Sequence, residues 1–173
     1  MSQQKQAFTL IELLVVVLIT GILVAVAVPQ YQNAVQRSQY ATIKNLTKSV
    51  ANAQEVFYLA NGEYADNFEK LDITLSGYNE DKSTEAKLVF PWGNCETGAT
   101  GQILCYYRFP DFGVQYQIAC AHSTANVNGV STAGKTMCIG DGDDNSKRSH
   151  LCQRETGKTG PDLRGGGYTV YFF

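Results

Sequence analysis

Two contrasting patterns open the chain. Met1 to Ala7 is short and polar, contains Lys5 and has no acidic side chain; Phe8 to Val28 is a 21-residue apolar run whose one charge is Glu12. A helix of that length rises about 30 Å, enough to cross the hydrocarbon layer of a membrane. An ionised carboxylate in such surroundings is costly unless it finds a polar partner, so Glu12 is the first functional candidate. Lys5 and the initiator amine keep residues 1–7 on the cytoplasmic side. An ordinary secretory signal has a shorter apolar stretch followed by a small-residue cleavage site, and Pro29-Gln30-Tyr31 supplies no such site. The small residue, Ala7, stands in front of the run instead. A peptidase working from the cytoplasmic side would therefore remove residues 1–7 and leave residues 8–29 attached.

Beyond Pro29 the periodicity changes. Ile43, Leu46, Val50, Ala53, Phe57 and Ala60 recur at spacings of three and four, and Gln36, Arg37, Lys44, Asn45, Lys48, Asn52 and Glu55 occupy the other faces. This pattern predicts an amphipathic helix over residues 30–60 with its apolar stripe on the core. Pro29 lacks an amide proton and Gly21 is a poor helix former, so a kink, or local melting on assembly, is expected between them. Asn61-Gly62 supplies the stop. Residues 65–83 read as an irregular segment anchored on a sheet edge by Phe68, Leu71, Ile73 and Leu75. Strands are expected over Lys87–Phe90, Ile103–Phe109, Gly113–Ala121 and Gly167–Phe173, the second and third with clear alternation and joined by a turn at Asp111-Phe112-Gly113. The result is an α+β domain over residues 30–173: helix 30–60 laid on an antiparallel sheet, with sheet and C-terminal loop filling residues 61–173.

Composition adds less. With 44% hydrophobic and 17% charged residues the chain reads as globular and not disordered. Its net charge of −2 becomes −3 when Lys5 leaves with the leader, which argues against nucleic acid as a general partner. Five cysteines, Cys95, Cys105, Cys120, Cys138 and Cys152, all lie in the second half and point to an oxidising compartment. One must stay unpaired, and two bridges among five thiols allow about 15 patterns. His122 and His150 are isolated from any nucleophile or carboxylate at catalytic spacing, and no triad, metal cluster or phosphate loop appears, so no catalytic role is assigned. Asn45-Leu46-Thr47 falls mid-helix and is read as a chance glycosylation motif. The tyrosines of the strand-like runs read as core, whereas Trp92 in the Pro-Trp-Gly turn is a candidate exposed, adhesive residue. Asp141, Asp143 and Asn145 sit in a stretch that offers Ca²⁺ hard oxygen ligands, but the EF-hand pattern is absent; a solvated Asp/Gly turn is the plainer expectation.

Residues Lys5 to Gln32 resemble the class III signal of type IV pilins and type II secretion pseudopilins. The likeness rests on a short basic leader, Phe8 directly after a small residue, Glu12 four residues further on, an unbroken apolar stretch and Pro29 near its end. Phe57-Tyr58-Leu59-Ala60-Asn61-Gly62-Glu63-Tyr64 is similar to the helix end of many pilins. The family usually has Gly before the cut, where this chain has Ala7. The resemblance implies a pilin fold, cleavage between Ala7 and Phe8 by a prepilin peptidase, and methylation of the new amine. It also implies that Glu12 meets the Phe8 amine of a neighbouring subunit. Partners follow: the peptidase, other pilin subunits, an inner-membrane assembly platform, and lipid before assembly. The chain would sit in the inner membrane with a cytoplasmic N-terminus, then in a surface pilus or a periplasmic pseudopilus.

Among the cysteine patterns, Cys95 with Cys105 is preferred because it closes a Gly-rich turn between strands. Cys138 with Cys152 resembles the family's C-terminal disulfide loop, which leaves Cys120 as a free thiol. Some pseudopilins similar to this chain bind calcium in their C-terminal region, which keeps Asp141, Asp143 and Asn145 as candidates. A pilus subunit is the first expectation and a type II secretion pseudopilin the alternative. A membrane-anchored binding domain that never polymerises is the rival from another class.

Overall fold

A computed structural model describes residues 9–173, which divide after Ser38 into an N-terminal helical unit and a globular unit. Helix α1 runs Leu10–Asn61, so it contributes to both, and it stays helical through Gly21 and Pro29, where the proline nitrogen cannot donate to Ala25 O. Thr20 stays local, its hydroxyl donating to Val16 O at 2.9 Å and Val17 O at 3.1 Å.

In the globular unit α1 is followed by a short 3₁₀ turn, Glu80–Lys82, and then by β1 (Lys87–Phe90), β2 (Gly93–Glu96), β3 (Gln102–Arg108) and β4 (Gly113–Ala119). A small hairpin, β5 (Asn126–Val127) and β6 (Val130–Ser131), precedes β7 (Thr136–Ile139), α2 (Lys147–Thr156), β8 (Leu163–Gly165) and β9 (Tyr168–Phe172). Seven strands form one sheet in the order β1-β2-β3-β4-β7-β9-β8, and every neighbouring pair is antiparallel.

The sequence pattern gave the class and missed several elements. β2 occupies what reads as a Gly-rich turn. β7 and α2 lie in what reads as the C-terminal loop; the polar Asp/Gly stretch there ends in Ser146, whose side chain accepts from Ser149 N and starts a helix. Gly157, at φ 73°, closes it in the left-handed conformation that a helix end needs. Residues 65–83 behave as expected, since Asn79 N donates to Val89 O at 2.7 Å and covers the outer edge of β1.

A row of directly paired residues crosses five strands: Cys95, Cys105, Tyr116, Cys138 and Tyr171, each fully or almost fully buried. This row meets α1 through Tyr40, Ile43 and Val50, and meets α2 through Leu151 and Cys152. The helix stripe itself is rotated from the expected one. Tyr40, Ile43, Thr47, Val50, Ala51 and Gln54 are buried, whereas Leu46, Ala53 and Phe57 are half-buried and Ala60 is exposed. Polar satisfaction explains the shift. Thr47 Oγ1 donates back to Ile43 O at 2.6 Å, and Gln54 is saturated by three bonds: its Nε2 donates to Ala65 O at 2.8 Å and Thr97 Oγ1 at 2.7 Å, and its Oε1 accepts from Ala65 N at 2.9 Å. A lining of Ala119, Met137, Ile139 and Val170, with Leu163 and Phe172 against it, makes a second, smaller core.

Candidate assembly site

Thr9 begins the described chain and caps α1. Its Oγ1 accepts from Glu12 N at 3.3 Å, while its own N–H and hydroxyl donate to Glu12 Oε2 at 2.8 and 2.7 Å. Thr-x-x-Glu is the capping-box pattern, in which the side chain of each residue accepts from the otherwise orphaned backbone amide of the other. The signal is legible in Thr9-Leu10-Ile11-Glu12, yet the sequence reading considered only the charge of Glu12. The negative group also faces the positive end of the helix dipole. Among the described residues, both bonds that Thr9 donates go to Oε2 and none is made to Oε1. Ala7 and Phe8, the expected cleavage and methylation residues, lie outside the described residues, as does the rest of the leader.

Around this carboxylate the helix is bare. Large apolar side chains from Leu10 to Val28 are exposed throughout, from 45% at Val15 to 82% at Leu10. By length and composition α1 is able to cross a membrane. In lipid these side chains find an apolar solvent; in an assembly they bury against other helices through close packing. Pro29 sits inside α1 at the far end of this stretch.

The remaining candidates lie in the globular unit. Cys95 is joined to Cys105 between directly opposed positions of β2 and β3, with Cα atoms 4.1 Å apart. Cys138 is joined to Cys152, 5.4 Å apart, and so ties β7 to α2 where a simple loop was expected. Cys120 is free and buried, and burial with the nearby Glu55 charge pushes its thiol up to about 12. Asp141 serves the cap of α2, its Oδ1 accepting from Ser146 Oγ at 2.5 Å and Ser149 Oγ at 3.5 Å. Asp143 Oδ1 accepts from Asn145 N at 3.0 Å, a local turn, and Asp144 pairs with Arg164. Among the described residues no group of three or more His, Cys, Asp or Glu is arranged to hold a metal ion. His122 stacks on Tyr58, ring centroids 4.8 Å apart, and is a packing residue.

The family described as the prokaryotic N-terminal methylation motif matches residues 2–28. The type II secretion system core protein G of Pseudomonas aeruginosa is 32% identical over 101 residues, which are 53% of this chain and 71% of that protein. The chain belongs to the type IV pilin and type II secretion pseudopilin family. Other pilin-family relatives match over a shorter length. The type IV major fimbrial protein FimA of Dichelobacter nodosus is 44% identical over 68 residues, 39% of this chain and 44% of FimA. A fimbrial protein of Neisseria meningitidis serogroup B is 40% identical over 76 residues, 44% of this chain and 45% of that protein. The chain thus spans under half the length of the fimbrial relatives it matches. No solved structure matches this pilin-family chain.

Proposed function

We propose that this protein is the structural subunit of a type IV pilus-like filament. It is made as a precursor and cut between Ala7 and Phe8 by a prepilin peptidase. The N-terminal segment of α1 then holds it in the inner membrane, with its N-terminus on the cytoplasmic side, until an assembly platform adds it to the fibre. The supporting observation is the bare apolar surface from Leu10 to Val28 carrying a single carboxylate, Glu12, capped by Thr9. Cleavage creates an ammonium at Phe8, and a neighbouring copy's ammonium offers Glu12 the partner its charge requires. A contact between residue 12 of one copy and residue 8 of the next is heterologous, does not close on itself, and propagates a fibre at one fixed offset.

Growth by strand addition is disfavoured by the sheet. β1 is covered by Asn79 and by Ser83, whose Oγ accepts from Val89 N at 2.9 Å, and on β8 the Asn128 side chain donates to Arg164 O at 2.8 Å. Assembly is left to the helix. Intact mass of the protein purified from its host tests the processing step: a chain beginning at N-methylated Phe8 is expected, and a chain beginning at Met1 contradicts it.

A second reading, a pseudopilin of a type II secretion system, is favoured by the length of the match to core protein G. Deletion in the host separates the two. Loss of sheared surface fibres with normal protein export supports the pilus subunit; loss of export with fibres intact supports the pseudopilin.

A further inference from the structure

The turn between β1 and β2 opens a cavity of about 570 Å³ on the globular unit. Lys82, Lys87 and Arg108 line it together with Asn79, Asn94 and Trp92. Lys87 is paired with Glu96 at 2.6 Å, whereas no carboxylate among the described residues pairs with Lys82 or Arg108. Lys82 and Arg108 are thus the two cations of this pocket without a carboxylate partner among the described residues, beside the neutralised Lys87–Glu96 pair and next to Glu80 and Asp81 of the 3₁₀ turn.

Its frame is built in advance. Asn79 N donates to Val89 O at 2.7 Å and Arg108 N to Trp92 O at 2.8 Å, which pins the two walls to the turn. Gly93 lets the strands close: a Cβ there would lie 1.9 Å from Tyr106 O. Little ordering remains to be done when a ligand arrives.

The aromatic residues decide which anion fits. Trp92 is not the exposed ring its turn predicts. Phe90 stacks on it at 4.6 Å and 11°, and Tyr107 at 5.5 Å and 10°. Binding of single-stranded nucleic acid draws on free ring faces for its bases, and the Trp92 ring already stacks on two others. Charge and amides remain. Lys82 and Arg108 suit a carboxylate or sulfate through charge-assisted hydrogen bonds. Asn79 Oδ1 is taken by Lys82 N and Asn94 Nδ2 donates to Glu96, which leaves Asn79 Nδ2 and Asn94 Oδ1 to face hydroxyl groups.

We infer that this pocket binds an acidic polysaccharide, with Lys82 and Arg108 on the acid groups and Asn79 and Asn94 on sugar hydroxyls. The claim concerns the globular unit and stands whether or not copies polymerise.

Trp92 is the sole tryptophan, so its fluorescence reports on this pocket. The full chain in detergent micelles is titrated with heparin, polygalacturonate, neutral dextran and oligothymidylate of matched charge; heparin and polygalacturonate distinguish sulfate from carboxylate. Saturable quenching or enhancement by one or both acidic polysaccharides is expected, with none from dextran. Lys82→Gln and Arg108→Gln should each weaken binding roughly tenfold, as lost charged hydrogen bonds do. Lys48→Gln, an exposed charge outside the pocket, should change it less than about twofold, since a distant exposed charge is screened by salt. The inference is overturned if neither acidic polysaccharide binds, if all three variants lose equally or none does, or if oligothymidylate binds as tightly through the same residues.

Discussion

Thr9 and Glu12 complete one another's hydrogen bonds across the first turn of α1: hydroxyl and amide of one donate to a single carboxylate oxygen of the other, and the Glu12 amide donates back. The carboxylate is thereby fixed in direction before any second copy arrives. Under the proposed assembly, the Phe8 ammonium of a neighbour would approach its other oxygen. The cap and the proposed intersubunit bond therefore do not compete, and the first orients the second.

If Thr9 orients Glu12, Thr9→Val should fray the start of the helix and slow filament growth, while Thr9→Ser should preserve both. Amide exchange at residues 11–13 in micelles should speed up roughly fivefold in the valine variant, the usual scale for a lost N-cap. Unchanged exchange would remove the cap from the account.

Gln54 holds α1 to the segment around Ala65 and to Thr97 while wholly buried. Gln54→Leu keeps the volume and strands an amide, a carbonyl and a hydroxyl, so a loss of about 2 to 4 kcal/mol is expected. Urea unfolding should show a lower midpoint at unchanged slope.

These two residues also mark the limit of what periodicity conveys. The apolar run, the amphipathic helix, its stop at Asn61-Gly62 and four of the strands were legible because each depends on local spacing. Gln54 was not, because a buried amide is acceptable only when partners 11 and 43 residues away arrive to satisfy it. β2 and α2 were missed for the same kind of reason. β2, Gly93–Glu96, is half Gly and Asn and is held by its register against Tyr107, Tyr106, Cys105 and Leu104. α2 is polar on its exposed faces and is held by Cys138 through Cys152. At the assembly site Glu12 stood out as a lone charge, while Thr9, an ordinary-looking polar residue, carried no hydropathy signal.

Cys120 should be inert in the folded protein. Burial and Glu55 raise its thiol from 9.0 to about 12, so the folded state keeps the proton where the unfolded chain would release it. The associated stability is fully present below pH 9.0 and is lost as pH climbs from there toward about 12. Iodoacetamide at neutral pH should label the native chain very slowly and the denatured, unreduced chain once. Rapid native labelling, or two further labels without reductant, would contradict the burial or the bridges.

Acid should weaken the β9 end of the sheet. At Asp162 burial acts to raise the carboxyl, but donation from Lys158 Nζ at 2.5 Å and Phe172 N at 2.7 Å and the charges of Lys158 and Lys135 outweigh it, and the net shift is downward from 3.8. A depressed folded value means stability that is complete above 3.8 and is lost as pH falls below it. Asp162→Asn should flatten that part of the stability profile between pH 5 and about 2; a wild-type slope in the variant would assign the effect elsewhere.

Direct observation of the assembled fibre bears most closely on the central claim. A reconstruction at side-chain detail of filaments from the native host should place the Glu12 carboxylate within about 4 Å of the Phe8 amine of a neighbouring copy, the distance of an ion pair. A fibre in which that carboxylate meets only lipid or water, with the Phe8 amines paired elsewhere, would contradict it.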